Sequence, residues 1–235
     1  MKGRWLPVIT GLFVGVLLIS NIASVKPVIF WKFTFDGGTL LFPLSYIFGD
    51  ILTEVYGYRA SRKVIWTGFA CAGLMSVILW WVGRLPSPAE AWGPEAQAGY
   101  DRVLMPVGRI VIASLIAYFA GEFSNSFVLA KLKIFTKGRF LWIRTISSTL
   151  VGEGIDTLIF VLVAFYGLWP NDIVLTVIVS NYIFKCAFEI FATPITYAVV
   201  IALKKSEGMD VYDIGTNFNP FIISERNLPA PEAAA

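Results

Sequence analysis

FPLSYIFGDILTEVYG, residues 42–57, is apolar on both sides of Gly49-Asp50 and then sets Glu54 four positions after Asp50. A carboxylate at the centre of a bilayer costs roughly 2.5–3.5 kcal/mol on insertion scales. The i,i+4 spacing puts both acids on one helix face. If this stretch crosses a membrane, that face must meet something other than lipid.

The surroundings place it in a membrane. The chain has 235 residues, 57% hydrophobic and only 15% charged, against about 25% charged in an ordinary soluble domain. Its mean hydropathy is +0.71. No large soluble domain can be cut from it, so the whole chain belongs in a bilayer. Histidine is absent, which removes zinc-peptidase motifs, Ser-His triads and haem ligation by His. Cys71 and Cys186 both lie in apolar stretches and read as small hydrophobes, not as a disulfide framework or a metal site. No cofactor or metal is expected. The N-terminal MKGRW and its apolar run resemble a signal peptide, but the run is too long and no small-x-small site follows it. It reads as a retained first helix.

Six spans follow, at Leu6–Val25, Thr39–Tyr56, Val64–Val82, Val103–Ala130, Thr145–Tyr166 and Asp172–Leu203. The second is short and polar-interrupted. The fourth carries GEFSNS (Gly121–Ser126), which reads as a break or as a continuation past the membrane, and the sixth contains Pro194, which can kink it or mark a short re-entrant turn. The segment Gly83–Arg102, with Pro86, Pro88 and Pro94, is expected to be an irregular outer loop.

Basic residues set the orientation. Lys2, Arg4, Arg59, Arg62, Lys63, Lys131, Lys133, Lys137, Arg139, Arg144, Lys204, Lys205 and Arg226 fall on one side, 13 in all, against Lys26, Lys32, Arg84 and Arg102 on the other. Six spans with both termini cytoplasmic satisfy this asymmetry. Residues 1–205 read as one transmembrane domain. Residues 206–235 read as a cytoplasmic polar tail, and its PAPEAAA end is expected to be disordered.

Six acids lie within the spans: Asp50, Glu54, Glu122, Glu153, Asp156 and Glu189. Only Arg109 and Lys185 sit in the spans to oppose them. Glu153 and Asp156 are i,i+3, as are Glu122 and Asn125, while Asn181, Lys185 and Glu189 form an i,i+4,i+8 stripe. Such stripes face a bundle interior or a wet cavity. Individual acids read equally well as structural ion pairs, Lys185 with Glu189 or Arg109 with Glu122. The excess over the bases reads as a binding site for a cation or for a ligand rich in N–H donors. A carboxylate accepts two parallel N–H bonds, as a guanine-like edge offers, and a protonated amine is the other good partner. Asn21 on the first span joins the candidate set. Phe42 and Tyr46 join it as stacking faces near the polar stripes, where Phe123, Tyr182 and Phe188 also lie, although most aromatics in so aromatic a chain are packing or belt residues. A glycine precedes the acid in Gly49-Asp50, Gly121-Glu122 and Gly152-Glu153; a small residue there lets a backbone or a ligand come close.

FPLSYIFGDILTEVYGYRASRKVIWTGF resembles the signature of the queuosine precursor transporter family, also called the vitamin uptake transporter family. GEFSNSFVLAKLKIFTKGRFLWIRTISSTLVGEGIDTLIF is similar to that family's central region and VYDIGTNFNPF to its ending, so the likeness runs from about Ser20 to Phe221. The resemblance implies an inner-membrane carrier with six helices, built like the substrate-binding subunits of energy-coupling-factor transporters. Its implied cargo is a 7-deazaguanine: the cyano- or aminomethyl precursor of queuosine, or queuine, for tRNA modification. No nucleic acid is an expected partner. No phosphate-binding loop is present, so direct ATP use by this chain is excluded. A secondary carrier or facilitator, a binding subunit that needs an external energising partner, and a carrier of another purine- or vitamin-like solute remain alternatives. An intramembrane hydrolase with paired acids is a fourth reading, without the sequence contexts such enzymes carry. Gly11-x3-Gly15 is a docking face for a partner or a second copy, or an ordinary packing face.

Overall fold

A computed structural model of the chain describes residues 3–23, 27–30, 33–88, 91–104, 108–167 and 171–222. Seven helices and one hairpin make up the described residues: α1 Leu6–Ala23, β1 Pro27–Phe30, β2 Phe33–Asp36, α2 Phe42–Tyr56, α3 Tyr58–Gly83, α4 Pro94–Leu104, α5 Gly108–Phe135, α6 Leu141–Phe165 and α7 Asn171–Glu207. Five of them, α1, α3, α5, α6 and α7, are long and apolar enough to cross a membrane, and the protein is a multi-pass helical membrane protein. α2 has 15 residues, about 22 Å at 1.5 Å per residue, and carries Asp50 and Glu54. Large apolar side chains point outward along the long helices, for example Leu74, Val77, Ile183 and Phe191, while polar and charged side chains are buried within. This inversion suits a chain whose solvent is lipid.

Several sequence expectations change. Residues 94–104 are the helix α4, not irregular loop. Pro94 stands at its first position, where a missing N–H costs nothing, and Glu95 and Arg102 sit at the ends that the helix dipole favours. Gln97 Nε2 donates to the Gly83 carbonyl at 3.0 Å and Tyr100 Oη to that of Leu79 at 2.9 Å, tying α4 to the end of α3. The connection after α1 is an antiparallel hairpin that pairs Pro27 with Asp36 and Phe30 with Phe33, so the chain is not purely helical. The fourth span begins at Gly108, since Val103 and Leu104 belong to α4. Neither GEFSNS nor Pro194 interrupts its helix: α5 runs 28 residues and α7 runs 37. The PAPEAAA end lies outside the described residues.

Turns bring the polar faces together. α2 ends at Gly57 with φ 82°, a left-handed value that reverses the chain into α3. A Cβ at Gly57 would stand 2.7 Å from Val211 Cγ1. α5 and α6 make the most extensive helix–helix contact. They approach closely at Gly121 against Gly152, where a Cβ on either would lie 2.9 Å from the other's carbonyl oxygen. Phe13 and Leu17 of α1 pack onto Gly68 of α3. Phe69, Trp66, Phe119 and Phe123 extend that contact into a cluster of tilted and edge-on rings joining α3 to α5.

One end of the bundle gathers four segments. Glu207, at the end of α7, accepts hydrogen bonds from the backbone N–H groups of Gly3, Arg4 and Trp5 at 2.6–3.0 Å and from Tyr56 Oη at 3.0 Å. Residues 208–222 then fold back along the helices. Asp213 accepts from the Tyr58 N–H at 3.0 Å, and Arg62 Nη1 donates to the carbonyls of Asn217 and Asn219 at 2.9 and 2.7 Å. Trp66 Nε1 donates to the Pro220 carbonyl at 2.8 Å, and Phe218 packs on Tyr58.

Candidate functional site

Four helices deliver acids to the interior, and the six acids divide into two groups. Near the end that gathers the tail, Glu54 is fully buried and surrounded by cations. Arg144 Nη1 pairs with its Oε2. Lys204 Nζ lies 2.5 Å from Oε1 and Lys133 Nζ 3.6 Å from the same atom. Lys133 Nζ also donates to the Glu54 carbonyl, to Asp210 Oδ1 and to the Val211 carbonyl, each at 2.6 Å. Lys204 reaches Asp210 at 2.9 Å. The expectation that only Arg109 and Lys185 oppose the acids therefore changes. Lys133, Arg144 and Lys204, read from sequence as markers of orientation, turn inward and neutralise Glu54. Arg109's side chain lies outside the described residues.

The other five acids gather deeper. Asp50 on α2 is fully buried, and its Oδ1 accepts from Asn125 Nδ2 of α5 at 2.8 Å. Glu122, one turn before Asn125, presses its carboxylate into the space that a side chain at Gly49 would fill. Its Oε1 is 3.5 Å from Ser126 Oγ, which accepts a hydrogen bond from Thr53 Oγ1 at 3.1 Å. On α6, Glu153 and Asp156 share Lys185 of α7, whose Nζ lies 2.5 Å from Asp156 Oδ2 and 3.0 Å from Glu153 Oε2. Glu189 follows on α7, 1% exposed. Asp50, Glu122 and Glu153 all lie within its electrostatic reach. Lys185 thus pairs with the α6 acids, not with Glu189.

The unsatisfied atoms concentrate in this deeper group. Among the described residues, Asp50 Oδ2, Glu122 Oε2, Asn125 Oδ1 and both oxygens of Glu189 are buried and accept no hydrogen bond. Buried polar atoms are normally paired, so a cluster of acceptors marks a place built to receive donors. Tyr46 is fully buried between α5 and α6, its ring against Gly152 and edge-on to Tyr118 at 6.1 Å.

The sequence candidates Asp50, Glu122, Asn125, Glu153, Asp156, Lys185, Glu189 and Tyr46 come together here, and Glu54 does not. Asn21 and Asn181 are half-buried, and neither hydrogen-bonds the cluster among the described residues. The side chain of Phe42 lies outside the described residues. Phe123 joins the aromatic contact with α3, and Tyr182 Oη donates to the Leu150 carbonyl at 3.2 Å on the outer side of α6. Tyr118 and Ser126 were missed from sequence. Their signal was present: residues 118, 122, 125, 126, 129 and 133 follow one helix face and are all buried.

Known proteins resemble this chain. A family model described as "Putative vitamin uptake transporter" matches residues 36–199. That stretch holds the whole of α2 to α6 and all six acids of the two interior groups. A Bacillus subtilis protein named "Probable queuosine precursor transporter" is 30% identical over 192 residues, covering 80% of this chain and 82% of its own length. The Escherichia coli protein named "Queuosine precursor transporter" is 28% identical over 151 residues, 64% of each chain. A Haemophilus influenzae protein, also named "Probable queuosine precursor transporter", is 30% identical over 129 residues, 55% of this chain and 51% of its own. No solved structure matches the chain. A match across most of the chain, through all the helices that build the buried acid cluster, means that the chain belongs to the vitamin uptake transporter family.

Proposed function

We propose that this protein imports queuosine precursors, 7-deazaguanine bases, across the cytoplasmic membrane. The observation that carries the reading is the set of buried acceptors without donors, Asp50 Oδ2, Glu122 Oε2 and the Glu189 carboxylate, gathered from three helices. A deazaguanine edge offers a ring N–H beside an exocyclic amino group, and its aminomethyl form adds a cation; each needs acceptors of this kind. The names of the relatives point to the same cargo. Asp50, held by Asn125, and Glu122 are the residues that receive the base edge, with Tyr46 beside them. Lys185 holds Glu153 and Asp156 in place.

The membrane arrangement in this reading is six crossings, with α2 as the short sixth, and both termini cytoplasmic. The gathering of the α1 start, the α2–α3 turn, the α5–α6 turn and the tail at one end supports it. So does the basic character of that end. The architecture would then parallel the substrate-binding subunits of energy-coupling-factor transporters.

The test is uptake of labelled cyano- and aminomethyl-deazaguanine into liposomes containing only this chain. Uptake that Asp50→Asn reduces at least tenfold, with normal insertion, is the expected result. Uptake in cells but never in liposomes would assign a partner-dependent binding subunit instead. Normal uptake by Asp50→Asn would remove that residue from the site.

A further inference from the structure

We propose that import is driven by protons and that Glu189 carries the coupling proton, one for each molecule of cargo; this rests on the transport reading above. Glu189 differs from every other acid in the interior. Asp50 is held by Asn125, Glu122 by Ser126, Glu153 and Asp156 by Lys185, and Glu54 by Arg144, Lys133 and Lys204. Glu189 is 1% exposed, accepts no hydrogen bond at either oxygen and forms no ion pair among the described residues.

The charged groups of the other helices within its electrostatic reach are acids. α2 contributes Asp50, α5 contributes Glu122 and α6 contributes Glu153. On α7 itself the neighbours are Cys186 and Lys185, and Lys185 is taken up by Asp156 at 2.5 Å and Glu153 at 3.0 Å. An ionised carboxylate in that position is uncompensated, and holding one away from water costs several kcal/mol. A proton removes the cost and turns the group into a donor, able to hydrogen-bond one of the vacant acceptors around it. Each cycle then balances without another reactant. The Glu189 carboxylate binds a proton from the outer side, the neutral acid crosses with the loaded site, and the proton leaves to the inner side as the cargo is released.

Position supports the role. Glu189 stands one turn after Lys185 on the longest helix, whose far end carries Lys204 to the Glu54 cluster. α7 therefore touches the deep acids and the basic end of the bundle with one continuous helix.

The test uses purified protein in sealed liposomes with a pH dye inside, the membrane potential clamped, and labelled aminomethyl-deazaguanine outside. With the outside one pH unit more acidic, wild-type protein should accumulate cargo up to about tenfold, the ratio that one proton per cargo allows, and cargo entry should acidify the lumen. Glu189→Gln should lose both the gradient response and the cargo-linked acidification, and Glu189→Asp should keep them. Wild-type uptake that is indifferent to the gradient and moves no protons would overturn the proposal while leaving the transport reading intact. So would a Glu189→Gln protein that retains both responses. If Glu189→Gln inserts but moves nothing, Glu189→Asp decides: a gradient response supports the proposal, and uptake without one overturns it. No uptake by the wild type under any condition overturns the transport reading and this proposal together.

Discussion

Glu54 and Asp50 stand one turn apart on the same helix face and do different work. Asp50 keeps one oxygen open, whereas Glu54 is enclosed by Arg144, Lys204 and Lys133. Arg144 is itself 1% exposed, and a buried ion that loses its partner costs about 3–5 kcal/mol. Glu54→Gln should therefore lower the melting temperature of purified protein in detergent by a loss of that size. The double change Glu54→Gln with Arg144→Met should lose less than the two single changes summed, because it does not strand the guanidinium against a neutral amide or the carboxylate without its arginine, while Lys133 and Lys204 keep Asp210 as partner. Thermal melting of the four proteins measures both outcomes, and strict additivity would mean that the pair is not coupled. The glycines also act individually. Gly49 yields its side-chain space to Glu122, while Gly121 and Gly152 yield theirs to each other's backbone and to Tyr46. The thrice-repeated glycine–acid pair was visible in the sequence. Its meaning was not, because the partner of each glycine lies on another helix.

The segment after Glu207 works as a strap across the basic end. Asp210 meets Lys133 and Lys204, Asp213 meets the start of α3, and Tyr212 Oη sits against Gly138 in the α5–α6 turn. Burial by itself would push the Asp210 carboxyl up. The hydrogen bond and charge of Lys133, reinforced by Lys204, outweigh it and hold the group below its ordinary value. An acid whose folded value is depressed stabilises the fold above its unfolded value, about 3.9 for Asp, and loses that contribution as pH falls through the folded one. Asp210→Asn should thus melt lower than wild type at pH 7. The gap should close as the pH is taken below about 4, and melting curves from pH 3 to pH 8 show it. A gap that is constant with pH would mean that Asp210 contributes shape and not charge. The docking of residues 208–222 was not legible in the sequence, since several of its contacts are backbone carbonyls offered to Arg62 and Trp66, which leave no side-chain pattern. The reverse holds for α4. Gly93-Pro94-Glu95 is a helix start by local chemistry, and three prolines nearby obscured it.

At the scale of the whole chain the apolar spans were legible, because each long helix needs an unbroken lipid-facing surface that composition records directly. Helix ends shifted by a few residues, and the hairpin strands Pro27–Phe30 and Phe33–Asp36 were missed although Phe33-Thr34-Phe35-Asp36 alternates apolar and polar, because the run is short and lies between two long apolar spans. The acids were legible as a set; which cation met which acid was not, since the cations come from the ends of α5, α6 and α7. That same end bears on the proposed orientation. Glu207 holds Gly3, Arg4 and Trp5, so the start of α1 and the end of α7 lie at one end of the bundle. Tyr58, Lys133 and Gly138, reached by the strap, lie there too. In the proposed six-span arrangement the α1 start, the α2–α3 turn, the α5–α6 turn and the α7 end share one side, as an even number of crossings requires. The exposed and buried bases at that end, including Arg59, Lys63, Lys131, Lys137, Arg139 and Lys205, follow the excess that cytoplasmic segments carry. Reporters fused after residue 235 and inserted in the 136–140 turn should both be active in the cytoplasm, and one inserted between residues 86 and 93 should be active outside. A reporter active outside at either of the first two positions would reverse the protein in the membrane, and with it the direction in which the Glu54 cluster and its strap face.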